Sequence, residues 1–220
     1  MGGVAQHRGW AVVVPVKELT LAKTRLASFG DAARADLALA MAADVVLAAQ
    51  AAAHVAIVLV VTNDARAAAE LGALGARVVA DVPDAGLNAA LADGARLVRV
   101  DDAEVAVAAV SGDLPALRSD ELDRALVDAA AHPRALVADA AGTGTTMLTA
   151  RPGVTLEPRY GPGSRQVHLD AGAWLLDSTA YPGLARDVDT VDDLQAALGL
   201  GVGPRTAELL RALGMTGVPG

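Results

Sequence analysis

The sequence predicts an α/β protein, a three-layer sandwich with a mostly parallel sheet between layers of helices. Three observations carry that expectation. Apolar runs of strand length alternate with helix-length stretches through the first 140 residues, the rhythm that strand–helix–strand units impose. Residues 55–61 are apolar without a break, as in strands covered on both faces. Apolar residues make up 53% of the 220 and aromatics only 2%, and a core of Ala, Val and Leu lets helices lie close on a sheet.

In chain order, residues 10–14 read as a strand and 31–53 as a long helix with Asp31 as its N-cap. A strand over 55–61, a short helix over 64–71, a strand over 77–80 and a helix over 86–98 follow. A strand over 105–110 ends at Ser111-Gly112-Asp113. A helix over 119–131, capped by Ser119 and Asp120, leads to a strand over 135–138. From 142 to 163 Gly, Pro, Thr and Arg accumulate, which predicts hairpin-like and loop structure. A helix begins near Ser164, Val188 lies in a short strand, and helices cover 191–198 and 205–213. With no internal repeat and no low-complexity linker, residues 1–220 are expected to form one domain, with 1–8 and 215–220 as flexible ends.

Composition narrows the function. The net charge is −8 and the isoelectric point about 4.9, which disfavours binding to nucleic-acid phosphates. The absence of cysteine excludes thiolate catalysis, cysteine-held zinc and disulfides, and is compatible with a cytoplasmic location. The N-terminus lacks an apolar signal core. The most apolar long stretch, 37–53, is interrupted by Asp44 and Gln50 and is short for a membrane span. Neither nucleic acid nor membrane is expected as a partner.

Five segments could carry chemistry. After the first strand, Lys17, Lys23 and Arg25 place three cations on one loop of an acidic chain, at the strand end where parallel sheets bind ligands. The spacing is not that of a Walker A loop, and a solvated basic loop would look the same. Asp113, in Ser111-Gly112-Asp113-Leu114-Pro115, sits at a strand end suited to magnesium, which takes carboxylate and substrate phosphate oxygens; the same residues also make ordinary turns. Asp187 and Asp189 flank Val188, so in extended backbone their carboxylates point to one side. Asp189 or Thr190 could instead cap a helix whose first turn holds Asp192 and Asp193. Thr143-Gly144-Thr145-Thr146 and Tyr160-Gly161-Pro162-Gly163-Ser164 form glycine-rich turns of the kind that bind anions, with Ser164 a candidate N-cap. Asn88 could read a base edge or cap the helix after Gly86. The histidines, His7, His54, His132 and His168, show no ligand spacing, and His168 is expected to have a surface or packing role. The tail Leu200-Gly201-Val202-Gly203-Pro204-Arg205 resembles half of a helix-hairpin-helix, a distant reading as a DNA-binding element.

Together these segments resemble the phosphoenolpyruvate/2-phospho-L-lactate guanylyltransferases, CofC or FbiD. The matching blocks are VPVKELTLAKTRL, VVTND, GLNAAL, SGDLPAL, GTGTTML, YGPGSRQVHLDAGA and RDVDTVDDL, in order over residues 11–195. Val191 stands where the family often has proline. The resemblance implies a GT-A-like nucleotidyltransferase (nucleotide-diphospho-sugar transferase) fold. It implies transfer of GMP from GTP to phosphoenolpyruvate or 2-phospho-L-lactate, with release of pyrophosphate, in biosynthesis of the deazaflavin coenzyme F-420. Composition of the kind high-G+C genomes encode favours phosphoenolpyruvate. The resemblance places Lys17, Lys23 and Arg25 on the GTP phosphates and Ser111, Gly112 and Asn88 near the nucleotide. It makes Asp113, with Asp187 or Asp189, the Mg²⁺ ligands, and Thr146, Gly161 and Ser164 the phosphoenolpyruvate contacts. A homo-oligomer and a downstream transferase of the same pathway are the partners it suggests. The nearest alternative is a molybdopterin or sugar-phosphate nucleotidyltransferase of the same fold.

Overall fold

A computed structural model describes residues 9–21, 30–82 and 84–215. Lys23 and Arg25 lie outside the described residues, as do the expected flexible end 1–8 and, of the expected flexible end 215–220, all but Met215. The elements run β1 (Trp10–Pro15), α1 (Asp31–Ala51), β2 (Val55–Val61), α2 (Ala65–Ala73), β3 (Arg77–Val79), α3 (Leu87–Asp101), β4 (Val107–Val110), α4 (Ser119–Ala129) and β5 (Arg134–Ala138). They continue with β6 (Thr145–Ala150), α5 (Ser164–Asp170), β7 (Trp174–Leu175), α6 (Pro182–Ala185), α7 (Val191–Leu200) and α8 (Pro204–Ala212).

The seven strands form one sheet in the order β3-β2-β1-β4-β6-β5-β7. β1 is central, pairing Val12 with Val58 of β2 and with Ala108 of β4, both parallel. Only β6 runs against the others, antiparallel to β4 and to β5. Its direction follows from chain length, because residues 139–144 are too few for the crossover a parallel neighbour would need. The hairpin-like stretch expected over 142–163 therefore contains a fully buried sheet strand, sealed by the Thr149 hydroxyl, which donates to Ala135 O at 3.2 Å and accepts from Ala135 N–H at 3.1 Å. β7, two residues long, had no sequence signature. Val188, expected in a strand, lies in irregular backbone.

Alternation along β1 divides the core. Val12 and Val14 face a cluster with α1, α2, α4 and α6, while Ala11 and Val13 face one built from α3 and the segment leading to β7. A third cluster joins α1 to α7 and α8 through Leu37, Met41, Val188, Leu194 and Leu210. Three helix starts differ from the sequence expectation. Gly30, with φ 76°, precedes α1, and Asp31 instead pairs with Arg34 in the first turn. Arg118 precedes α4 without a side-chain cap. Gly163, left-handed at φ 72°, precedes α5, so Ser164 is the first helical residue. Among the described residues no helix is long and apolar enough to cross a membrane.

The tail reading as a DNA-binding hairpin is overturned by the use of its amides. Asp44, buried in α1, accepts the Arg205 and Thr206 N–H groups, each at 2.9 Å. Gly203 N–H donates to Pro115 O at 2.8 Å. Burial pushes the Asp44 carboxyl above its ordinary range, and the Thr206 and Arg205 bonds pull it part of the way back. The amides that would meet a DNA backbone are thus satisfied inside the fold, so the hairpin serves as an anchor. Replacing Asp44 by Ala leaves two amides at α8 without their acceptor, a loss of roughly 1–3 kcal/mol. Calorimetry is expected to show Asp44→Ala melting several degrees lower, at about 2–4 °C per kcal/mol for this size. Asp44→Asn, which keeps one acceptor, is expected to fall in between.

Candidate active site

Every strand but β6 ends at one edge of the sheet, and β6 begins there. Ligands of parallel α/β sheets bind outside this carboxyl edge. Backbone bonds stitch its loops together: Val16 N–H to Val61 O at 2.9 Å, Thr62 N–H to Val79 O at 3.0 Å, and Ser111 N–H to Thr146 O at 2.9 Å. Gly112 passes so close to β1 that a Cβ would stand 3.0 Å from Pro15 O. Any side chain there would push the Asp113 loop away from the β1 end. Lys17 is exposed just beyond β1. The loop it opens is tethered by Asp64, whose Oδ2 accepts Leu19 N–H at 3.0 Å and whose Oδ1 caps α2 through Ala67 N–H at 2.9 Å. Burial alone would raise the Asp64 carboxyl; the amides of Ala67, Leu19 and Arg66 outweigh it and hold it below its ordinary range.

Asp113, Asp187 and Asp189 come together although α4, β5, β6, α5, β7 and α6 all intervene in sequence. Val188 N–H donates to Asp113 O at 3.1 Å, and the Val188 side chain is fully buried under α1 and α7. On either side of it, Asp187 is half-buried and Asp189 exposed. Burial, together with the negative charges of Asp113, Asp139 and Asp189, pushes the Asp187 carboxyl up to about 7. Asp139 is a member the sequence reading missed. It directly follows β5, and its Oδ1 accepts Thr143 N–H at 2.8 Å. Gly144 gives it room, since a Cβ there would lie 2.4 Å from Asp139 Oδ2. Asp193, by contrast, is structural: its Oδ2 accepts the Thr190 N–H at 2.9 Å and the Thr190 hydroxyl at 2.7 Å, closing a capping box at α7.

The donor set suits a hard divalent cation: oxygen ligands only, with a carboxyl whose proton such an ion would displace. Among the described residues, no three carboxylate or imidazole side chains stand close enough to hold an ion by themselves. Magnesium-like ions commonly take only one or two protein carboxylates, with waters and substrate phosphates completing the shell.

The third part of the site is the loop 158–163. Its conformation is set from beneath by His168, which is buried rather than at the surface. Arg159 N–H donates to His168 Nε2 at 2.9 Å. The ring proton must then sit on Nδ1, which lies 3.0 Å from Thr145 Oγ1 and donates to it. Ser164 Oγ donates to the same Thr145 oxygen at 3.3 Å. Desolvation first, and the Arg159 charge second, lower the His168 pKa to about 4, so the imidazole is neutral at physiological pH. Asn88 neither caps α3 nor leaves its amide open. Its Oδ1 accepts Tyr160 N–H at 2.7 Å and its Nδ2 donates to Tyr160 O at 3.0 Å. The Thr146 hydroxyl, also buried, donates to Val137 O at 3.4 Å. Of the predicted acceptor contacts, Thr146 and Ser164 thus turn their hydroxyls inward, while Gly161, at φ 143°, is exposed. A lone His and a lone Asn have no spacing to reveal them; their partners are 9 and 72 residues away.

Sheet order and strand-end edge define the fold class, that of the nucleotide-diphospho-sugar transferases. A protein of Desulfovibrio desulfuricans G20 assigned to the nucleotide-diphospho-sugar transferases has the same fold, with TM-score 0.68 and 19% identity over 92% of this chain and 94% of that one. Rv0371c of Mycobacterium tuberculosis, solved in complex with manganese, matches with TM-score 0.52 and 20% identity over 87% of this chain and 98% of that one. Sequence places the chain further. It belongs to the family described as "Guanylyl transferase CofC like", which matches residues 10–219. A phosphoenolpyruvate guanylyltransferase of Streptomyces scabiei is 58% identical over 90% of this chain and 94% of its own length. One of Thermomonospora curvata is 56% identical over 91% and 88%.

The crowding at Asp187 has a measurable sign. Its carboxyl lies near 7 in the fold against 3.8 in a free side chain, so metal-free protein loses stability as pH rises from about 4 through about 7. At pH 8 without metal, Asp187→Asn is expected to melt a few degrees above the wild type; at pH 4 the difference is expected to vanish. Added Mn²⁺ or Mg²⁺ raises the wild-type melting temperature at pH 8 and leaves the variant's unchanged. Scanning calorimetry at the two pH values, with and without metal, checks all three.

Proposed function

We propose that this chain transfers GMP from GTP to phosphoenolpyruvate and releases pyrophosphate, as a step in biosynthesis of coenzyme F-420 in the cytoplasm. The observation that carries the reading is the Val188–Asp113 junction, which brings carboxylates from distant parts of the chain to the strand-end edge beside Lys17. Membership of the guanylyl transferase family and the phosphoenolpyruvate named in its relatives support the choice of substrates over 2-phospho-L-lactate and over sugar phosphates.

In the proposed reaction an oxygen of the acceptor phosphate attacks the α-phosphorus of GTP. A new P–O bond forms, the bond from the α-phosphorus to the bridging oxygen breaks, and pyrophosphate leaves with that electron pair. The nucleophile is already ionised at neutral pH, so no residue need remove a proton. What the protein must do is align two anions and offset their repulsion. Lys17, Lys23 and Arg25 are assigned to the triphosphate. Ser111 and Gly112, held against β1 and β6, form the floor beside the nucleotide. Asp113 with Asp187, the more enclosed of the two late aspartates, and Asp189 would hold Mg²⁺. Bound there, the ion neutralises charge where the two phosphates meet. Gly161 presents open backbone to the acceptor beside Thr146, with Thr145 and Ser164 fixing the turn beneath it and Asn88 tying that turn to α3. A transferase consuming the guanylylated product would act next in the pathway.

The test is incubation of the purified protein with GTP, Mg²⁺ and either phosphoenolpyruvate or 2-phospho-L-lactate, followed by mass analysis. The expected product is GMP joined to phosphoenolpyruvate, with one pyrophosphate per turnover. Asp113→Ala is expected to lose roughly 10³-fold or more in rate while keeping its helical circular dichroism. Near-normal turnover by that variant takes the aspartate out of the mechanism.

A further inference from the structure

None of the residues placed so far reads guanine. Asn88, expected near the nucleotide, spends both ends of its amide on the Tyr160 backbone. The sheet order limits where else the base can lie. β1, β2 and β3, with α1 and α2 between them, form a strand–helix–strand–helix–strand unit, the mononucleotide-binding half of doubly wound sheets. Asp113 and Asp139 follow β4 and β5, on the other side of β1. On the proposed reading the triphosphate lies at Lys17, after β1, and the acceptor among those acids. The nucleoside is then left the ends of β2 and β3. β3 stands two strand spacings from β1, about 10 Å, which a base can span when its phosphates lie at β1.

The carboxylates between β2 and α2 and between β3 and α3 are Asp64, Asp81 and Asp84. Asp64 is used on both oxygens, by the Leu19 and Ala67 N–H groups. Asp84 is exposed, with φ 41°, and its N–H donates to Asp81 Oδ1 at 3.2 Å. Asp81 is the anchored acid. Asn63, just beyond β2, accepts the Asp81 N–H on Oδ1 at 2.9 Å and donates from Nδ2 to Asp81 O at 3.0 Å. One side-chain amide thus holds both backbone groups of Asp81 at the strand-end edge. Each carboxylate oxygen has two lone pairs, so the Asp84 amide leaves both Asp81 oxygens able to accept. Val82, next in the chain, is 81% exposed, the most exposed large apolar side chain among the described residues, and a base plane laid on it would take that surface from water. The pairing edge of guanine carries N1–H and an exocyclic amine side by side, two donors that a single carboxylate accepts together. Adenine has an acceptor at N1 and would set lone pair against lone pair. We infer that Asp81, held by Asn63, binds these two donors of guanine and selects GTP among the nucleoside triphosphates. The inference rests on the guanylyl-transfer reading above.

The test follows pyrophosphate release with phosphoenolpyruvate and three donors. These are GTP, inosine triphosphate, which lacks the amine, and xanthosine triphosphate, which has a carbonyl in its place. The wild type is expected to favour GTP over both by roughly tenfold or more in kcat/KM, the worth of one charge-assisted hydrogen bond. Asp81→Asn presents one acceptor and one donor, the complement of xanthine. It is expected to lose roughly 10–100-fold in kcat/KM for GTP and to gain on xanthosine triphosphate. Its melting temperature is expected to stay unchanged, because Asn keeps an oxygen for the Asp84 N–H. Asp84→Asn is expected to keep the wild-type order of donors. A loss in Asp81→Asn that falls equally on all three donors, or no loss with GTP, overturns the inference. So does a switch toward xanthosine triphosphate that appears in Asp84→Asn instead. A wild type that uses GTP and inosine triphosphate equally overturns it while leaving guanylyl transfer intact, and a wild type that turns over no donor with phosphoenolpyruvate overturns both.

Discussion

The loop carrying Asp113 is gripped from both sides by the last third of the chain. Val188 N–H holds the carbonyl of Asp113 at 3.1 Å, and Gly203 N–H holds that of Pro115 at 2.8 Å. Neither bond would survive alone at the edge of a sheet, where water competes for every backbone group. They persist because Val188, Leu194 and Leu210 are buried against Leu37, Met41 and Ala116, and because Asp44 fixes the start of α8. A helix-packing cluster remote from the edge thereby decides which carboxylates meet there. Asp187 sits among like charges as a consequence of hydrophobic burial on the other side of Val188.

This division of labour accounts for the acid-rich segment 187–193. Four aspartates in seven residues would repel one another in any common site. The fold separates them by direction. Asp193 turns back into the capping box of α7 and Asp192 lies in that helix's first turn, where the positive end of the helix stabilises both. Asp187 and Asp189, outside the helix, face the strand ends. One short stretch of sequence serves stability with half of its acids and leaves the other half to crowd around Asp113 and Asp139.

What could be read from the sequence follows the range of the interactions. The parallel half of the sheet was legible because each strand carries its own apolar run and each crossover helix its own length. Thr190 as a cap with Asp192 and Asp193 behind it was legible as one of two local readings, and the structure shows it in the capping box of α7. The place of β6 was not, because its insertion between β4 and β5 depends on pairing at long range, and β7 is too short to have a pattern. The N-caps assigned to Asp31 and Ser164 failed for a common reason: a glycine with positive φ stands one position earlier and starts the helix by backbone shape, which competes with any side-chain cap. Asp139 and His168 were invisible as site-forming residues, and Asn88 was assigned to the nucleotide with no sign of its bonds to Tyr160, because their partners are brought to them by the fold.

His168 shows why a buried imidazole need not point to acid–base chemistry. A rigid ring that accepts on one nitrogen and donates on the other can link two groups on opposite sides of it with no freedom to rearrange. Here it joins the Arg159 amide to the Thr145 hydroxyl. Protonation would put a second N–H against the Arg159 N–H and break that link, so the loop 158–163 keeps its shape only while the ring is neutral. Desolvation keeps it neutral well below pH 6. A nucleophile that is already a phosphate anion asks for no general base, and on the proposed reading the fold is free to use the buried His168 as a strut.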